Sequence, residues 1–122
     1  MEIDTLRAYL LGKTGAFEDF PFGPDVMVFK VLDKMFALVA FRETLLSVNL
    51  KCDPELALHL RNIYKAVLPG YHMNKRHWNT VVLDGSILDE EVLSMIDDSY
   101  DLVVKGLKKS ETETSKDKRA FQ

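Results

Sequence analysis

Cysteine is almost absent from this chain. Cys52 stands alone among 122 residues, which excludes an internal disulfide and any zinc site built on a Cys-x-x-Cys pair. A single thiol also suits a reducing cytoplasm. Long apolar runs are missing too. The longest, Met35–Phe41, is far short of the roughly 20 residues a bilayer span needs. The first 30 residues lack the continuous apolar stretch of a secretory signal. The expectation is a cytoplasmic protein that does not associate with membranes. Basic charge is scarce as well: 16 Lys and Arg face 19 Asp and Glu, for a net charge of −3. A uniformly basic nucleic-acid binder is therefore excluded, but a local basic patch is not.

The charge that is present is unevenly placed. Residues 1–50 carry a net charge of −2, residues 51–80 carry +3, and residues 81–122 carry −4. With 47% hydrophobic and 29% charged residues, the chain has the composition of one ordinary globular domain.

Helical spacing of Ile3, Leu6 and Leu10, followed by Gly12, predicts a short amphipathic helix over residues 2–11. The segment "GAFEDFPFGPD" is rich in Gly and Pro and reads as irregular, with phenylalanines that can still pack inward. Val26–Leu32, Met35–Arg42 and Leu45–Lys51 are short runs of β-branched, aromatic and aliphatic residues, which predicts an antiparallel meander. "VMVFKVL" is apolar on both alternating faces apart from Lys30, as in a strand covered on both sides. Asp53-Pro54 then opens a second helix, with Asp53 as N-cap and Leu56, Leu60, Ile63 and Tyr64 along one face, and Pro69-Gly70 closes it. Thr80–Leu83 is a further strand and Asp84-Gly85 a turn. A last helix runs from about Leu88 to Leu107 on the stripe Val92, Ile96, Tyr100, Val103 and Leu107, with Ser86 and Asp89 in capping-box spacing. Residues 110–122 are polar apart from one ring and are expected to form a disordered tail beyond a single domain over residues 1–109. The expected fold is α+β, an antiparallel sheet with helices packed on one face. Its core is expected to include Phe29, Phe36, Leu38, Leu60, Ile63, Ile96 and Val103.

Four stretches, "GAFEDFPFGPDVMVFKV", "VNLKCDPELA", "PGYHMNKRHWNTVVLDGS" and "MIDDSY", carry a resemblance. They are similar to the bacterial MmcQ/YjbR family over about Met1 to Lys109. The resemblance implies a compact CyaY-like (frataxin-like) fold, a cytoplasmic location and a DNA-binding role. Frataxin-like proteins collect iron on an acidic first helix, whereas the first helix here offers only Glu2 and Asp4. The acidic group Asp89, Glu90 and Glu91 instead opens the last helix, where carboxylates are ordinary dipole partners.

The candidate site is the loop His72–Trp78, inside the only net-positive third of the chain. Lys75 and Arg76 would contact phosphates, with His72, Asn74 and His77 as hydrogen-bonding neighbours and Trp78 as a stacking platform. The competing reading packs Trp78 and Tyr71 into the core and spends Asn74 and the histidines on the loop's own backbone. His72 and His77 are not spaced to share one helix face, and His59 and Cys52 have no ligand-spaced partner, so neither a metal nor a cofactor is expected. "GKT" at Gly12–Thr14 lacks the earlier glycine of a phosphate-binding loop, since position 7 is Arg7. No catalytic residue stands out; His77 and Asp84 are seven apart by what could be chance. The expected protein is a non-enzymatic monomer with double-stranded DNA as partner. The alternative is a protein- or small-ligand-binding module that uses the same loop and the aromatic Phe17–Phe22 stretch.

Overall fold

The computed structural model describes residues 1–42 and 44–119, the side chains of Arg42 and of 108–119 excepted. The chain runs α1 (Ile3–Leu11), β1 (Ala16–Asp19), β2 (Val26–Val31), β3 (Lys34–Arg42), β4 (Leu45–Lys51), α2 (Pro54–Ile63), β5 (Val67–Pro69), β6 (Trp78–Val82) and α3 (Asp89–Arg119). The six strands form one sheet in the order β1-β2-β3-β4-β6-β5, with every neighbouring pair antiparallel. This is the expected α+β architecture.

Strand alternation divides the sheet into two faces. Phe29, Ala37, Val39, Val48, Leu50 and Val81 join Leu6, Leu10, Val92, Ile96 and Val103 in a single buried core. The helices therefore cover this face. The other face carries Val26, Val28, Leu38, Ala40, Ser47, Asn49 and Thr80, paired across β2, β3, β4 and β6. Val28 is 1% exposed although it lies outside the helix-side core. Something other than a helix covers that face, as the doubly apolar β2 sequence demands.

Several local expectations need correction. β1 forms inside the segment read as irregular, because Phe17 and Glu18 pair with Lys30 and Phe29 of β2. The Arg7 guanidinium ties Glu18 to α1. Helix α2 stops at Ile63 rather than running to Pro69. Val67 is buried and pairs with Val81, so sheet pairing overrides helix propensity there. Asp53 occupies the N-cap position without a side-chain cap bond. Ser86 donates to Asp84 Oδ1 at 2.6 Å, where a cap on α3 was expected. Of the expected core, Phe29, Phe36, Ile96 and Val103 are buried and Leu60 packs against them. Ile63 is 54% exposed, and Leu38 faces the other side of the sheet. Helix α3 continues past Lys109 to Arg119, into the segment expected to be disordered. Residues 110–119 hold no apolar side chain, so that extension has no stripe to bury. Residues 120–122, the end of the expected tail, lie outside the described residues.

Candidate functional site: a groove on the open face of the sheet

The covering of the second face is a loop, and its anchorage is polar. Thr80 is fully buried, and its hydroxyl donates to Asn49 Oδ1 at 2.6 Å while accepting the Tyr71 N–H at 2.9 Å. Asn49 Nδ2 donates in turn to the Tyr71 carbonyl at 3.2 Å. Two strand side chains thus satisfy both backbone groups of one loop residue, and the loop is pinned to the sheet.

A second anchor comes from α2. Arg61 donates through Nε to Asn79 Oδ1 at 2.7 Å, through Nη2 to the Trp78 carbonyl at 3.3 Å, and also to the Lys75 carbonyl. Asn79, 2% exposed, spends its amide on the Ala57 carbonyl. Gly70 lies so close to the next strand that an added Cβ would sit 2.8 Å from Trp78 Cβ and 3.1 Å from Met73 Cβ. Glycine is required there by space alone. His72 takes a positive φ of 57°, which turns the chain sharply over the sheet.

The result is an apolar groove of about 520 Å³. Leu38, Ala40, Ser47 and Asn49 form its floor, Phe22, Val26 and Phe41 one wall, and Tyr71, His72 and Met73 the other. The Tyr71 and His72 rings lie 4.1 Å apart between centroids. Phe22 is 69% exposed and Phe41 is 55% exposed, so two large rings of the lining reach solvent. Gly23, at a φ of 101°, turns the chain behind Phe22 into β2.

The structure separates the residues of the expected site. His72 lines the groove. Lys75 and Arg76 are exposed, but the Lys75 ammonium folds back onto the Gly70 carbonyl at 3.0 Å. Asn74 is spent on the Arg76 N–H, closing a turn. His77 is half-buried, and its carbonyl accepts the Cys52 N–H at 2.8 Å. Trp78 lines a different hollow, with Lys34, Met35 and residues of α3. His77 and Asp84 do not pair, since Asp84 binds Ser86. Asn49, Arg61, Asn79 and Thr80 were not singled out from sequence, although asparagines inside apolar strands are a usable signal.

The "GKT" lysine has a structural role. Lys13 forms an ion pair with Asp97 and lies 5.1 Å from the Tyr9 ring centroid, while the Tyr9 hydroxyl donates to the same carboxylate at 2.6 Å. Burial raises the Asp97 pKa, but the bonds from Lys13 and Tyr9 outweigh it and hold the carboxyl below its ordinary value. Among the described residues, no three His, Cys, Asp or Glu side chains are grouped so as to hold a metal. Among the same residues, no helix is long and apolar enough to cross a membrane.

The YjbR family model matches residues 11–102. The chain is 42% identical over 90 residues to the uncharacterized protein YbdF of Escherichia coli O157:H7, covering 74% of each chain. It is 39% identical over 104 residues to the uncharacterized protein YjbR of Escherichia coli K12, covering 85% of this chain and 88% of that one. The crystal structure of a Deinococcus radiodurans protein with domain DUF419 superposes with a TM-score of 0.79 at 40% identity, over 84% of this chain and 78% of that one. The matched span starts at the end of α1 and runs into α3, so it holds the whole sheet, both walls of the groove and the pinned loop. The chain belongs to the YjbR family.

Proposed function

We propose that this protein is a non-enzymatic binding module whose groove takes a small, largely apolar ligand. The observation that carries this reading is the groove itself. Its volume of about 520 Å³ falls within the roughly 300–1,000 Å³ range of small-molecule sites, which are mostly apolar with a few placed polar groups. Here those groups are His72, Ser47 and Asn49. The Ser47 hydroxyl already donates to the Ala40 carbonyl at 3.2 Å and keeps acceptor capacity. Asn49 keeps one amide hydrogen after its bond to Tyr71. Among the described residues no charged side chain lines the groove, and a neutral ring or short aliphatic body matches its apolar lining.

A methyl-labelled NMR titration with indole as neutral aromatic probe tests this. The Val26, Leu38, Ala40 and Met73 methyl signals should shift together and saturate. Ala40→Phe, which fills the floor, should abolish those shifts. Shifts scattered over the helix-side core, or none, would refute the reading.

Exposure of Lys75 and Arg76 supports a second reading, contact with duplex DNA through phosphates. Lys75 would exchange its bond to Gly70 for a phosphate oxygen. Each phosphate contact contributes about 0.9 to the slope of log affinity against log salt. A Lys75→Ala, Arg76→Ala variant should therefore flatten the slope of a random-sequence duplex by nearly two units. Binding that is absent, or unchanged by the substitutions, removes DNA and leaves the groove.

A further inference from the structure

The helix face of the molecule carries a second hollow, of about 300 Å³, between the start of α2 and the middle of α3. Leu56 and Leu102 supply its apolar surface, and Asp53, Asp98 and Asp101 stand around it, with Lys105 as the single cation among the described lining residues. The apolar surface continues along α2. Ile63 lies seven residues after Leu56 and so on the same side of the helix. Leu56 is 37% and Ile63 54% exposed, and His59 between them is exposed too. Seven residues of helix extend this stripe over about 10 Å. A stripe of that length matches two turns of a docked helix.

The electrostatics around the hollow are one-sided. Asp98 has its pKa raised, first by burial and then by Asp101 and Asp97. Its neighbour Asp97 is lowered because Lys13 and Tyr9 outweigh the effect of burial. Burial, followed by the fields of Asp98 and Asp53, pushes the Cys52 thiol up to about 11. After burial, carboxylates raise both groups, which sit on different elements, with Arg61 opposing them at Cys52. An apolar partner would bury these carboxylates at a cost of several kcal/mol each, whereas a cationic one would compensate them.

We propose that this hollow and the Leu56–Ile63 stripe form a docking surface for a basic amphipathic helix of a partner protein. Its apolar side chains would seat on Leu56 and Leu102, and its Lys or Arg heads would meet Asp53, Asp98 and Asp101. The surface lies on the opposite side of the sheet from the groove and does not depend on it.

The test is fluorescence anisotropy with a labelled helical peptide of leucine and lysine in amphipathic order. A scrambled peptide of the same composition serves as control. The ordered peptide should bind saturably and more weakly as salt rises. Asp98→Asn with Asp101→Asn should weaken it about tenfold, or roughly 1.4 kcal/mol. Leu56→Gln should weaken it as well, while Ala40→Phe in the groove should leave it unchanged. Glu90→Gln with Glu91→Gln removes the same charge from the exposed first turn of α3 and should also leave binding unchanged. Equal loss in both acidic double variants would show general attraction and overturn the proposal. Equal binding of the scrambled peptide, or no saturable signal up to about 1 mM, would do so as well.

Discussion

Thr80→Val is the most informative single change at the groove. Valine keeps the β-branched shape and strand propensity of threonine, so the substitution removes the hydroxyl and little else. That hydroxyl makes two bonds, to Asn49 Oδ1 at 2.6 Å and from the Tyr71 N–H at 2.9 Å. Each contributes about 0.5–1.5 kcal/mol net. Asn49 is 5% exposed, so its Oδ1 loses its donor where water reaches it poorly, which adds about 1–3 kcal/mol. The added methyl returns part of this through apolar burial. A loss of about 2–4 kcal/mol is expected, read from urea melts as a lower midpoint at unchanged slope. The groove should weaken in parallel, because the wall formed by Tyr71, His72 and Met73 is released from the sheet. A Thr80→Val loss below about 0.5 kcal/mol would show that the loop is not held by this network.

Ile96 is fully buried in the helix-side core, so Ile96→Ala should cost about 2–5 kcal/mol in denaturant melts. Truncation after Lys109 should leave the melting temperature unchanged, because residues 110–119 offer no apolar side chain to the core; a large fall would make the segment structural. Asp97 has a lowered folded pKa, so its contribution is present above the unfolded carboxylate value and is lost as pH falls through the folded one. Stability should therefore fall below about pH 4, and Asp97→Asn should flatten that acid limb; an unaltered limb would refute the coupling.

The elements that rest on local pattern were readable. Helices α1 and α3 and the strands β2, β3 and β4 follow from periodic apolar residues and short polar turns, information carried within each segment. β1 and β5 escaped because they exist only through pairing with β2 and β6, and neither four-residue AFED nor three-residue VLP shows a period of its own. Leu38 and Ile63 were placed in the core for the same reason. Hydrophobicity shows that a side chain can be buried, but the face it occupies depends on register and on how far the helix continues.

The site was legible as a region and not as a geometry. "YHMNKRHW" stood out by composition, yet adjacency in sequence does not bring its side chains to one place. His72 faces the groove, Lys75 closes back on Gly70, and Trp78 lines a hollow beside α3. What assembles the groove is distant in sequence: Phe22 before β2, Leu38 on β3, Asn49 on β4 and Thr80 on β6. The clue that did point to it was the double-sided apolar pattern of β2. A strand apolar on both faces needs two covers, and the helices can supply only one. The second cover is a loop pinned by buried polar bonds, and such a cover can leave a gap. A helix would have filled that face with close-packed side chains, while a loop held at Tyr71 and turned at His72 leaves about 520 Å³ between itself and Phe22. The groove is therefore a direct consequence of covering one face of an apolar sheet with eight loop residues rather than a helix.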